Sequence, residues 1–241
     1  MPQTSLRVEL LAHTPDPLSL IYAACRQCYH AGFVADMWPK LLAGEITGEK
    51  QSQFITGIME SGHLSPIEHV QFTFAVSGVS RALTHQLVRH RIASYSQQSQ
   101  RYVDGSSFEY MIPPAIEACP EAKKSFLACM EQVGDAYKNI KAILEKNGRV
   151  GSHANEDARF VLPQAAASRI VITMNCRSLL NFFEHRCCTR AQWEIQILAS
   201  KMLLLCRDTL PAVFEHAGAR CERLGYCPEG EKFTCGRYPL S

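Results

Sequence analysis

Between Gln86 and Tyr102 the chain reads Gln-Leu-Val-Arg-His-Arg-Ile-Ala-Ser-Tyr-Ser-Gln-Gln-Ser-Gln-Arg-Tyr, its densest polar stretch. Arg89, His90 and Arg91 are adjacent, so their side chains leave the backbone in different directions whether it is helical or extended. Cationic groups this close repel one another unless an anion lies among them. Guanidinium forks match phosphate oxygens, and the Ser and Gln side chains that follow offer neutral donors and acceptors suited to a base or a ribose. The chemistry indicated is nucleotide binding. The competing reading is a solvated helix end, where basic residues are favoured by the dipole. Composition alone does not separate the two.

Other residues carry weaker signals. Glu184-His185-Arg186 has the composition of a solvated helix face. Asn175 and Asn181, six apart across a strand-to-helix junction, fit either capping or ligand contact. His90 taken alone fits a hydrogen-bonded structural histidine, and Cys187-Cys188 fits packing. His216, Cys221, Cys227 and Cys235 are of types that bind a metal tetrahedrally. Their spacing matches no Cys-x2-Cys knuckle, so the expectation is a tail of free thiols without a metal.

The elements that must position these residues show in the apolar spacing. Leu18, Ile21, Tyr22 and Cys25 predict a short helix over Pro17–Tyr29, and Phe54, Ile55, Ile58 and Met59 another over Ser52–Ser61, closed by Gly62. His69–Val76 alternates Val70, Phe72, Phe74 and Val76, which is strand periodicity; Ser80 then caps a helix through Leu83, Leu87 and Val88. Phe126, Met130, Val133, Tyr137, Ile140 and Leu144 make one stripe on a long helix over Glu121–Lys146, stopped by Gly148. Ser168–Asn175 is rich in β-branched residues and reads as a second core strand. Arg190–Leu210 predicts the most apolar helix: Ala191, Ile195, Leu198, Met202 and Leu205 form one stripe, with Trp193, Ile197 and Leu204 beside it. So broad an apolar surface is buried in the protomer or between protomers. Strands and helices do not alternate regularly, so the fold class expected is α+β, a central antiparallel or mixed sheet with flanking long helices. No linker or repeat marks an internal boundary, so residues 1–215 are expected as a single domain and 216–241 as a Cys-containing tail.

Composition excludes several classes. A net charge of +2 is too small for a nucleic-acid scaffold or a membrane-surface protein, and no apolar run reaches the length of a membrane span. Eleven scattered cysteines with no signal-like opening imply a reducing, cytoplasmic protein.

Arg89-His90-Arg91, seven residues, then Ser99 resembles the Arg-His-Arg-x7-Ser motif of the flavin-dependent thymidylate synthases. His63-Leu64-Ser65-Pro66-Ile67-Glu68-His69 is similar to that family's His-x-(Ser/Thr)-Pro-x-Glu-His element. Arg159-Phe160-Val161-Leu162-Pro163 and Asn175-Cys176-Arg177-Ser178-Leu179-Leu180-Asn181-Phe182 resemble two more of its segments, and Arg186 with Ala191-Gln192-Trp193-Glu194-Ile195 completes the series in order.

The resemblance implies a methyltransferase that converts dUMP to dTMP. Methylenetetrahydrofolate would be the carbon donor, reduced FAD the hydride source, and NADPH the reductant of the flavin. It assigns FAD contacts to Ser65, Arg89, His90, Arg91, Gln97, Asn175, Arg177 and Asn181, with His63 and Glu68 close by. It assigns dUMP contacts to Gln86, Arg89, Gln97, Ser99, Arg101, Arg159 and Arg186, and it makes Arg186 the catalytic group. It also implies a homotetramer whose active sites draw residues from several subunits.

Three positions depart from the family's pattern. Cys28 stands where a flavin-contacting serine is frequent, Gln97 where glutamate is frequent, and Arg190 where a histidine often follows the active-site arginine. The last two are each expected to make the pocket more positive by about one charge. Arginine cannot act as a base, yet it can stabilise charge developing on the N3/O4 side of uracil. No cysteine nucleophile is then required.

Overall fold

The computed structural model describes residues 1–240. In chain order the elements are β1 (Arg7–His13), α1 (Pro17–Tyr29), α2 (Trp38–Leu42), α3 (Gly48–Glu60), β2 (Gln71–Ser80), α4 (Arg81–Leu87) and β3 (Ser94–Gln97). There follow α5 (Pro114–Glu117), α6 (Pro120–Lys146), α7 (Ser152–Ala158), β4 (Ala167–Asn175), α8 (Cys176–Arg186), α9 (Trp193–Thr209), α10 (Pro211–Phe214) and α11 (Arg220–Leu224). The four strands form one antiparallel sheet in the order β1-β2-β4-β3, so the fold is α+β as expected. The described residues gather into two compact units interleaved along the chain. Unit one comprises Met1–Arg7, Val76–Arg89 and Tyr95–Val171; unit two comprises Val8–Ala75, His90–Ser94 and residues 172–240. Strands β2 and β4 run through both. No helix among the described residues is long and apolar enough to cross a membrane.

Strand β2 follows the alternation read from its sequence, burying Phe72, Phe74 and Val76, but it continues four residues past Val76 to Ser80. The extension passes through Gly78. Its φ is +65°, and a Cβ there would stand 2.0 Å from the Ser5 carbonyl oxygen. Glycine thus lets the N-terminal segment lie against the strand without ending it. Ser80 caps α4 as expected, its hydroxyl accepting from Leu83 N at 3.0 Å.

In unit one, α6 buries Met130 and Tyr137 from the predicted stripe, and Met130 joins Phe108, Tyr110, Ile112 and Ala166 in a core. The Tyr137 hydroxyl accepts from Gly105 N at 3.1 Å and donates to Asn155 Oδ1 at 3.4 Å. Asn155 in turn donates to the Arg101 carbonyl at 3.1 Å, so the long helix fixes the backbone that carries Arg101.

Unit two is built on aromatics. Phe214 meets Phe72 edge-on at 5.7 Å and Phe183 at 6.0 Å. Helix α9 buries Ile195, Leu198, Met202 and Cys206. It begins at Trp193 rather than Arg190, because the Gln192 carboxamide accepts from the backbone of Glu194 and Ile195 at 3.1 and 3.2 Å and caps it. Helix α3, by contrast, begins earlier than its apolar pattern suggests, at Gly48, with Thr47 accepting from Lys50 N as its cap. Its polar first turn carries no apolar signal, so periodicity places that start too late.

Candidate active site

Unit one contains a cavity of about 470 Å³ walled by α4, the end of β3 and residues 159–164. Of the residues the resemblance assigns, Gln97 and Arg159 line it, beside Arg81, Thr84 and His85. Gln97 Nε2 donates to the hydroxyls of Thr84 and Ser168, both at 3.1 Å. Both amide hydrogens are thereby committed, which leaves the carbonyl oxygen as the acceptor Gln97 can offer a ligand. A glutamate here would have no hydrogen to give these two hydroxyls.

Arg159 donates from Nε to the Glu156 carbonyl at 3.3 Å. The Glu156 carboxylate pairs with Arg101 at 2.7 Å and with Arg149 at 3.1 Å. One residue of α7 therefore steadies two of the assigned arginines. Ser99 accepts from Arg101 N at 3.1 Å, which shapes the turn between them. Arg89 lies at the exposed end of α4, 3.2 Å from His85 Nε2, and Gln86 donates to the Ala82 carbonyl one turn back. The loop after α4 is held by Tyr95, whose hydroxyl donates to the Leu87 carbonyl at 2.9 Å. Burial pushes the Tyr95 phenol up to about 12, so it stays a neutral donor.

Unit two carries the rest. Arg186, at the end of α8, donates from Nε to His90 Nε2 at 3.0 Å. The His90 ring meets Phe182 edge-on at 4.9 Å. Burial, then the positive charge of Arg186 and then that of His185, lower His90 to about 4. A neutral imidazole can accept the arginine's hydrogen, whereas an imidazolium could not. His90 thus orients Arg186 through one nitrogen, which fits its isolated reading as a hydrogen-bonded structural histidine.

Asn175 caps α8, accepting from Ser178 N at 2.8 Å. Arg177 pairs with Glu68 at 2.5 Å, tying the start of α8 to the short helical turn Ser65–His69. Ser65, Arg91 and Asn181 are exposed. His63 Nδ1 lies 2.6 Å from the Tyr29 hydroxyl.

The extra charge expected from Arg190 is not delivered to a pocket. Arg190 forms an ion pair with Glu229 of the tail, and its guanidinium stands 4.4 Å over the Phe233 ring. It fastens the tail instead. Cys28 Sγ donates weakly to the Ala24 carbonyl at 3.5 Å, within its own helix. Cys187, Cys188, Cys221, Cys227 and Cys235 line a small cavity, yet among the described residues no group of three or more His, Cys, Asp or Glu side chains is arranged to hold a metal ion. Burial raises the Cys176 thiol far above its ordinary value and Cys187 to about 12, so neither is a ready thiolate at neutral pH.

A family model described as thymidylate synthase complementing protein matches residues 9–212. The chain belongs to the flavin-dependent thymidylate synthase family. A flavin-dependent thymidylate synthase of Nitratidesulfovibrio vulgaris is 74% identical over 240 residues, covering 100% of this chain and 98% of its own. One from Clostridium tetani is 46% identical and covers 96% of this chain and 94% of its own. The crystal structure of the UMP/dUMP methylase PolB from Streptomyces cacaoi, bound with 5-Br dUMP, superposes with a TM-score of 0.73 at 23% identity, over 88% of this chain and 94% of that one. At that identity the likeness concerns the fold. Membership of this family makes the chain a flavin-dependent methyltransferase.

Sequence reasoning missed Glu156, Asn155 and Ser168, which support assigned residues without belonging to any motif. Their signal lies in tertiary contacts alone.

The His90 environment carries a prediction. The unfolded histidine binds a proton as pH falls below about 6.5, whereas the folded one resists until about 4. In that window the unfolded chain holds more protons, so stability decreases as pH falls through it and levels off below. Half-exposure of the ring reduces the effect to about 1–2 kcal/mol. Nuclear magnetic resonance of the histidine ring carbons should show no His90 titration between pH 5.5 and 8. A midpoint near 6.5 would contradict the neutral acceptor.

Proposed function

We propose that this enzyme carries out the reductive methylation of dUMP to dTMP, a step of deoxyribonucleotide synthesis. Methylenetetrahydrofolate is the carbon donor, and NADPH restores the reduced FAD. The observation that carries the reading is the Arg186 fork held from behind by a neutral histidine. C5 of uracil must become nucleophilic before it takes up a one-carbon unit. Arg186 is too basic to remove a proton, but its terminal nitrogens can stabilise charge that develops on the N3/O4 side of the ring. His90 fixes the fork before the substrate arrives, so no reorganisation is needed as the charge develops.

Ser65, Arg89, His90, Arg91, Gln97, Asn175, Arg177 and Asn181 hold FAD. The exposed arginines of this set suit its pyrophosphate, and Asn175 and Arg177 contribute through the α8 start that they stabilise. When bound, the flavin supplies the hydride that completes the methyl group, which no side chain can do. Gln86, Arg89, Gln97, Ser99, Arg101, Arg159 and Arg186 hold dUMP. The enzyme works in the cytoplasm as a homotetramer with shared active sites, on small molecules and without nucleic acid. Its eleven cysteines are free thiols, which suits that compartment.

The test is the absorption spectrum of the purified protein with and without dUMP, together with tritium release from C5-labelled dUMP. A yellow protein whose flavin band shifts on adding dUMP, bleaches under NADPH and releases tritium is expected. A flavoprotein that shifts but never releases tritium would be a binding module instead, and an apoprotein that cannot be reconstituted with FAD would end the reading.

The same product can be made through a cysteine thiolate added to C6 of the ring. The raised thiols of Cys176 and Cys187 speak against that route here. Cys176→Ala, Cys187→Ala and Cys188→Ala are each expected to retain substantial turnover. Mass spectrometry after incubation with fluorodeoxyuridylate should find no nucleotide on any cysteine; a labelled cysteine would overturn the proposed mechanism.

A further inference from the structure

The cysteines in and around the tail lie outside every motif that resembles the family. Five of them, Cys187, Cys188, Cys221, Cys227 and Cys235, line one cavity of about 30 Å³ in unit two. All five are free thiols, and among the described residues no three are arranged to hold a metal ion. Thiols gathered without ligand geometry remain open to reaction with one another. They differ in readiness for it. Cys235 is exposed. The Thr189 hydroxyl donates to its sulfur, the Arg237 backbone N–H does the same, and with the Arg237 charge they hold this thiol below its ordinary value. An exposed thiol with thiolate character, beside a second cysteine, is the kind that peroxides oxidise. The second cysteine follows from the state of the other four. Burial raises Cys187 to about 12, and burial, then the neighbouring Cys188, raise Cys221. Cys227 is buried, and its backbone N–H donates to the Pro239 carbonyl at 2.6 Å. Cys188 is half-buried and adjoins Thr189, the residue whose hydroxyl meets Cys235.

We propose that Cys235 and Cys188 are a redox pair, which a hydroperoxide oxidises to a disulfide that binds the tail to the end of α8 and slows turnover. The Cys235 thiolate attacks one peroxide oxygen. An S–O bond forms as the O–O bond breaks, and the other oxygen leaves with the proton that the thiol had released, as an alcohol or as water. The Cys188 sulfur then displaces hydroxide from the sulfenic acid, and its own proton completes a water molecule. The two sulfurs give two electrons to the peroxide, and a reducing thiol reverses the step by exchange. Arg186 stands two residues before Cys188. The same end of α8 is already tied to the tail by Glu184 with Arg223 at 3.1 Å, and the turn after it by Arg190 with Glu229. Closing the two sulfurs to a bond of about 2.05 Å draws residues 187–190 toward the tail. That movement disturbs the contact with His90 that fixes the Arg186 fork. The effect on turnover rests on Arg186 being the catalytic group; the disulfide does not.

The experiment treats FAD-loaded parent protein, Cys188→Ser and Cys235→Ser with hydrogen peroxide, which catalase then removes. Peptide mass spectrometry maps the cysteines, steady-state kinetics gives kcat and the KM for dUMP, and elemental analysis gives the zinc content. The treated parent should lose two hydrogens and yield a Cys188–Cys235 peptide. Its kcat should fall by about ten- to a hundredfold, the scale on which a displaced catalytic group costs rate, with a smaller change in KM. Dithiothreitol should restore it. Both serine variants should keep the parental kcat through the treatment, and dimedone should trap a sulfenic acid on Cys235 in Cys188→Ser. In the untreated parent, iodoacetamide should label Cys235 ahead of the exposed Cys28, Cys119 and Cys129, a readout that needs no variant to fold. A disulfide between other cysteines, or labelling of Cys235 no faster than of those three, overturns the pair. A mapped Cys188–Cys235 disulfide with unchanged kcat, or an equal loss of kcat in the serine variants, overturns the switch and leaves the functional reading intact. Stoichiometric zinc in the parent that is lost from both serine variants also overturns it, by making these cysteines ligands. If the untreated parent shows no turnover at all, the functional reading fails, and the pair stands or falls on the disulfide map alone.

Discussion

Arg186→Lys should fold, load flavin and bind dUMP nearly as the parent does, and lose most of its turnover. The reason lies in what the side chain does at its two ends. Its Nε is spent on His90 at 3.0 Å, and the ring of His90 is set by Phe182 at 4.9 Å. The planar fork then presents its terminal nitrogens in a fixed plane. A lysine ammonium is one point charge on a flexible stem, so it can reach toward His90 or toward the ring, but not both. Removing a preorganised electrostatic stabiliser of this kind costs about a hundred- to a thousandfold in kcat. The KM for dUMP should change much less, because the interaction strengthens only as charge develops on the uracil. A rise in KM at constant kcat would show that Arg186 merely binds the ground state. Near-normal turnover would remove it from the catalytic role altogether.

Much of the fold was legible because the interior repeats with the period of its elements. Phe72, Phe74 and Val76 alternate in β2, and Met130 and Tyr137 lie on one stripe of α6; each lies in the core. What periodicity could not supply was the effect of single contacts. Strand β2 runs on past Val76 because Gly78 admits the Ser5 carbonyl beside it. Gln192 looks like an interior helix residue until its carboxamide caps the backbone of α9. The interleaving of the two units is likewise invisible to a reading along the chain, since both draw on β2 and β4.

For the site, motif spacing located the arginines but not what restrains them. Glu156 steadies Arg101 and Arg159, Phe182 and His90 steady Arg186, and Glu229 occupies Arg190. Along the chain Arg190 adds positive charge to the pocket, because nothing in its neighbourhood announces a carboxylate 39 residues later. Charge in a folded protein depends on the partner, and the partner here comes from the tail.

The double variant Ile197→Asp, Leu204→Asp should dissociate the enzyme and abolish its activity. Helix α9 buries Ile195, Leu198, Met202 and Cys206 within its own unit, so that face is satisfied. Ile197 and Leu204 lie seven residues apart, hence on one side of the helix, and are 42% and 58% exposed. Ser200 and Lys201 lie between them on the same exposed side. Each large apolar side chain left in water forgoes up to about 2 kcal/mol that a packed neighbour would provide. A second copy of this face supplies such a neighbour by symmetry, as closed oligomers usually do. An aspartate at each position would place carboxylates where apolar groups meet, and in a symmetric contact it would face its own copies. Because the proposed active site draws on several subunits, separating them should remove bound flavin and turnover together, although each chain keeps its own core. Light scattering should report a tetramer for the parent and a smaller species for the variant, with circular dichroism unchanged. A parent that scatters as a monomer while active would contradict both the tetramer and the shared site. A variant that remains tetrameric and fully active would place the subunit interface on another face of the protein.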